Sequence, residues 1–113
     1  MRTVIAVGLA LWATGASAEY AFLGQGGFSC GRWQQGRRTK EPTSFTAQAW
    51  VLGYLTRANY SGDTSLTAGT DADGVFAWID NFCRANPLKD IADAAEYLVA
   101  ELQVQARKAK AAR

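Results

Sequence analysis

From residue 29 onward apolar positions recur every three or four residues, and no stretch alternates with the period of two that marks a half-buried strand. The pattern predicts four helices. Ser29 is placed to cap a short first helix, CGRWQQGRR, which Gly31 and Gly36 weaken. TKEPTS reads as a linker broken by Pro42. Ser44 then caps a second helix, FTAQAWVLGYLTRAN, with Phe45, Ala49, Leu52 and Leu55 on one stripe and Trp50 and Tyr54 beside it. So broad a stripe marks the central helix. Gly53 in mid-helix costs about 1 kcal/mol against alanine, which implies close approach by another helix or an aromatic ring.

Residues 60–70, YSGDTSLTAGT, have loop composition. Thr70 with Asp73 has the spacing of a capping box, with aspartate in place of the usual glutamate. A third helix follows, carrying Val75, Phe76, Ile79, Phe82 and Cys83 on one face. Asn86-Pro87 ends it, because the residue before proline avoids helical angles. The fourth helix is predicted to begin near Leu88. Leu88, Ile91, Ala92, Ala95, Leu98, Val99 and Leu102 form its apolar stripe. Acidic Asp90, Asp93 and Glu96 lie toward its start and basic Arg107, Lys108, Lys110 and Arg113 at its end, as the helix dipole favours. The expected fold is therefore all-α: a small four-helix domain over residues 29–106 with a basic tail at 107–113. The glycine-rich EYAFLGQGGF, residues 19–28, precedes it as an extended, partly mobile lead-in.

The first residues follow a different logic. Arg2 gives a positive start, Val4 to Trp12 an apolar run, and Ala16-Ser17-Ala18 a small-residue exit. That order predicts a secretory signal peptide over 1–18, cleaved after Ala18. The competing expectation, an N-terminal core helix, explains neither the charged start nor the exit. The product is expected to be periplasmic or secreted, and a bacterial periplasm suits so short a leader. No other segment is long and apolar enough to span a bilayer, so stable membrane insertion is not expected.

Charge narrows the partners. The 12 basic side chains include Arg2, so the chain after Ala18 would carry almost as many acidic as basic groups. That near-neutrality argues against a dedicated nucleic-acid binder. Arg32, Arg37, Arg38 and Lys40 do gather around Trp33, which suggests either an anion site or a solvated helix face with Trp33 turned inward.

The chain has two cysteines and no histidine. In an oxidising compartment the single intramolecular option is Cys30–Cys83, a disulfide joining the first helix to the third. The wide spacing does not suit a redox C-x-x-C pair, and a zinc site would need two carboxylates to complete it. No metal or other cofactor is expected. Without histidine there is no Ser-His or Cys-His pair, and no catalytic residue is assigned. Asp71, Asp73 and Asp80 are the best carboxylate cluster for an enzyme, but Asp71 and Asp73 more simply occupy the first turn of a helix. TDADG holds only part of a calcium loop, and GQGGF lacks the lysine of a phosphate loop. What remains are aromatics. Trp33, Trp50, Tyr54 and Trp78 are candidates for a partner-binding patch, since so small a domain can hardly bury them all.

CGRW, AWVLGYLTRAN and DGVFAWIDNFCRANP, followed by an amphipathic helix with a charged tail, resemble the small periplasmic HdeA/HdeB acid-stress proteins. They are also similar to the Tai-type immunity proteins of type VI secretion. The resemblance covers about residues 29–103, with Gly53-Tyr54 as a shared glycine-aromatic step. The 19–28 and 60–70 stretches have no counterpart in the acid-stress proteins. The first resemblance implies an ATP-independent holdase that is a homodimer at neutral pH and opens in acid to hold client proteins. The second implies a neutraliser that covers a toxin with a fixed surface. Both make a protein the partner.

Overall fold

The computed structural model describes residues 23–62 and 65–112. The predicted leader, the first residues of the lead-in and Arg113 lie outside them. The described chain folds as four α-helices: α1 (Cys30–Thr39), α2 (Pro42–Gly62), α3 (Ala72–Ala85) and α4 (Ile91–Ala111). A 3-10 turn at Gln25–Gly27 precedes them. No strand forms among the described residues, beyond an isolated backbone bridge between Ser29 and Asp90.

The disulfide Cys30–Cys83 closes between α1 and α3, with the Cα atoms 4.8 Å apart and both residues fully buried. That separation lies within the usual bridging range, and such a bond suits an oxidising, exported location. The bridge sits in the core with Trp33, Val51, Leu55, Val75, Ile79, Ile91, Ala94 and Leu98, so all four helices contribute.

Backbone pairing fixes where α4 begins. The Cys30 amide donates to the Lys89 carbonyl at 2.8 Å and the Ile91 amide to the Phe28 carbonyl at 2.9 Å. Asp90 caps α4 by accepting from the Asp93 amide at 2.8 Å, and the Asp93 carboxylate accepts from the Asp90 amide at 3.3 Å, a reciprocal capping box. The helix therefore starts three residues after Leu88, which stands 97 % exposed. At its other end α4 absorbs residues 107–111 of the predicted tail.

The structure corrects the second helix most. Pro42 opens α2 instead of breaking a linker, as its fixed φ and missing N–H permit at a first helical position. Ser44 lies inside the helix and is buried. The buried face is Ser44, Ala47, Val51 and Leu55, while Phe45 is 59 % exposed and Ala49 lies outward. The two faces share the same spacing. Small side chains win because α1 approaches closely: a Cβ added at Gly36 would stand 3.0 Å from the Ser44 Cβ. Gly53, by contrast, has open space where a Cβ would go, so no neighbour explains it. At α3 the predicted Thr70–Asp73 box is replaced by Asp71, whose carboxylate accepts from the Gly74 amide at 2.8 Å.

The expected loose lead-in is docked over its described part. The 3-10 turn packs on α2 and α4, and the Trp50 indole N–H donates to the Leu23 carbonyl at 2.7 Å. Gly26 is buried beneath that ring, and any Cβ there would overlap the six-membered ring of Trp50. Gly26→Ala is expected to displace the turn or the indole, costing about 1–2 kcal/mol as overpacking does and red-shifting tryptophan emission. Urea unfolding followed by fluorescence checks this. Gly27→Ala, which meets nothing within 4 Å, serves as the control.

Candidate functional site

Three constellations emerge from this packing. The first joins α1 to α3 beside the disulfide. One turn apart on α1, Trp33 and Arg37 converge on Asp80 of α3. The Trp33 indole N–H donates to Asp80 Oδ1 at 2.7 Å. Arg37 donates through Nε to Oδ1 at 3.0 Å and through Nη2 to Oδ2 at 2.9 Å. This is the only ion pair among the described residues, and its forked geometry makes it stronger than a surface pair of point charges. The Arg37 guanidinium also lies 5.6 Å from the Phe76 ring centroid. The hydrogen bond to Asp80, outweighing burial and helped by the charges of Asp80 and Asp73, raises the Arg37 pKa above its ordinary value. Arg37 therefore stays charged throughout the physiological range.

The expected carboxylate cluster does not converge. Asp71 is occupied as a cap, Asp73 lies exposed in the first turn of α3, and Asp80 belongs to the Arg37–Trp33 knot. Nine residues separate Asp71 from Asp80, about 13 Å along a helix axis. TDADG forms the start of α3 instead of a cation-binding loop. Among the described residues no group of three or more His, Cys, Asp or Glu side chains could hold a metal ion, and no helix is long and apolar enough to cross a membrane.

The second constellation is a row of aromatic rings on α3 and α4. Trp78 stacks on Phe82 with centroids 5.6 Å apart, and Phe82 meets Tyr97 at 5.3 Å. Lys89 Nζ stands 5.7 Å from the Tyr97 centroid. Trp78 and Phe82 are half-buried, and Tyr97 is 54 % exposed.

The third pairs Trp50 and Tyr54 on α2, stacked with centroids 5.5 Å apart. Burial first, and the Glu96 charge second, push the Tyr54 pKa up from its usual value near 10. The fold thus favours the neutral phenol. The resulting stability is fully present below pH 10 and is lost as pH rises through the higher folded value. Tyr54→Phe is expected to flatten the alkaline limb of the stability–pH curve, measured by thermal unfolding from pH 8 to 12, while leaving the neutral value within about 0.5 kcal/mol.

Of the four aromatics expected to meet a partner, Trp33 is corrected. It is 3 % exposed, held inward by Asp80 and packed 6.1 Å from Phe76, and offers no surface. Trp50 is partly covered by the 3-10 turn. Tyr54 and Trp78 remain half-accessible, each stacked on a different ring. Sequence reasoning missed Tyr97, whose signal was a large ring lying off the apolar stripe of α4. It also missed the Asp80 knot. Asp80 lies three residues before Cys83 and Trp33 three after Cys30, so the disulfide register alone pairs them across antiparallel helices.

Comparison with protein-family models, with characterised proteins and with solved structures finds no match to this chain.

Proposed function

We propose that this chain is an exported, non-catalytic binding protein that holds unfolding client proteins in acid. The observation that carries the reading is the Trp78–Phe82–Tyr97 row: three rings in contact, half-buried at Trp78 and Phe82 and exposed at Tyr97, on two helices whose N-caps are aspartates. Partly exposed aromatics of this kind supply large contact area at little conformational cost. Carboxylates as a class take up protons around pH 4. In acid the carboxylates as a class would be neutralised, and the basic side chains would then repel one another unopposed. Helices α3 and α4 would then part along the face that the aromatic row borders. The disulfide would keep α1 and α3 together, so the opened chain remains compact and reversible.

The expected result is a rise in binding of a hydrophobic dye between pH 4 and pH 2.5, together with suppressed aggregation of a denatured client at the lower pH. Tyr97→Ala with Trp78→Ala should reduce that protection. Unchanged dye binding and no protection at pH 2.5 would overturn the reading. A stoichiometric complex with one exported toxin at neutral pH, indifferent to acid, would instead favour an immunity protein.

A further inference from the structure

A groove of about 390 Å³ opens between α1 and α3, on the surface beside the Asp80 knot. It is lined by Gln34, Arg37, Arg38, Asp80 and Arg84. Its volume falls in the range of small-ligand sites, but its lining is polar where such sites are usually apolar. Three guanidiniums face one carboxylate. Asp80 is already engaged by Trp33 and by both forks of Arg37. Arg84 donates from Nη1 to the neutral Asn81 side chain at 2.8 Å and has no carboxylate partner among the described residues. Arg38 makes no hydrogen bond or ion pair there. Two unneutralised arginines, one from each helix, thus flank a floor whose own charges are internally balanced.

We propose that this groove is a binding site for a small multivalent oxyanion, a phosphate group or a polycarboxylate, held between Arg38 and Arg84 with the Gln34 amide as an additional contact. Guanidinium forks match such oxygens in pairs, which a lysine ammonium cannot do. Apolar ligands find little to bury here. The bidentate Arg37–Asp80 pair and the adjacent disulfide hold the two helices in register, so the backbone positions of Arg38 and Arg84 are fixed before binding and only their side chains need ordering. The site does not depend on acid opening or on the aromatic row.

The Trp33 indole N–H is a built-in reporter, because its acceptor Asp80 lines the groove. Titration of the full exported chain at pH 7 with inorganic phosphate, and separately with citrate, at ionic strength held constant with sodium chloride, is expected to shift the Trp33 indole resonance saturably. The Trp50 indole, bonded to the Leu23 carbonyl, should stay still. Saturation by phosphate alone assigns the site to phosphate groups, and saturation by citrate alone to carboxylates. Arg38→Gln with Arg84→Gln changes two exposed side chains and should preserve the circular dichroism spectrum and Tm while weakening the saturating anion by about tenfold or more. Shifts that stay linear with concentration for both anions, or that persist unchanged in the double variant, would overturn the proposal.

Discussion

Replacing Cys30 and Cys83 together by alanine is expected to remove about 4 kcal/mol of stability, the cost of releasing a 53-residue separation in the unfolded chain. Stabilities of small domains total roughly 5–15 kcal/mol, so this one bond carries a large share. The expected fall in Tm is roughly 20 °C. Two features push the cost upward. Both residues are wholly buried, so alanine also leaves unfilled volume between α1 and α3. Moreover, α1 is only ten residues long, too short to persist without tertiary support. Denaturant unfolding of the double variant beside the oxidised parent measures the loss. A change under about 1 kcal/mol would show that the other α1 contacts suffice. Because neither sulfur has surface exposure, thiol reductant should act only on opened molecules, and its rate should follow the opening equilibrium instead of reductant access.

The second large effect is expected at Asp80. Asp80→Ala strips the Trp33 indole N–H of its acceptor inside a buried setting and leaves the Arg37 guanidinium without a counter-charge. Hydrogen bonds to charged groups contribute about 1.5–3 kcal/mol each, and an orphaned buried donor adds its own desolvation cost. Arg37 and Asp80 are each about a third open to water, which tempers the ionic part. A net loss of about 2–3 kcal/mol follows. Asp80→Asn keeps an oxygen for the indole but not the charge, and should cost about half as much. A double-mutant cycle with Arg37→Gln separates the two contributions. If Asn and Ala prove equally damaging, the charge dominates; if Asn is harmless, the indole bond does. Asp80→Asn also removes the negative charge at neutral pH, so more dye binding by this variant at pH 7 would link loss of this ion pair to the opening proposed above.

The helices α3 and α4 were legible because each carries one continuous apolar face against a polar one. Val75, Phe76, Ile79 and Cys83 are buried as the spacing requires, and so are Ile91, Ala95, Leu98 and Leu102. The disulfide was legible because two cysteines leave a single pairing. Helix α2 was not. Its faces carry small residues on one side and aromatics on another, and hydrophobicity favours the aromatics. Packing buried Ser44 and Ala47 in place of Phe45 in the first half of the helix, since Gly36 and Ser44 let two backbones meet where a ring could not fit. The docking of residues 23–28 was equally hidden, because glycine-rich composition describes a mobile strand and a close-packed turn alike. Gly26 belongs to the second kind, and only the ring above it reveals that.

The last core residue of α4 is Leu102, yet the helix continues to Ala111. Those nine residues add about 13 Å of helix, with Val104 and Ala106 still partly covered and every described residue from 107 onward exposed. An isolated helix of that length would melt, but this one grows from an anchored stem and so escapes the cost of nucleation. Lys108 and Lys110 in its final turn lie where the helix dipole welcomes positive charge. The consequence is mechanical: anything fused or tethered at this end is carried on a helical spoke continuous with the core of α4.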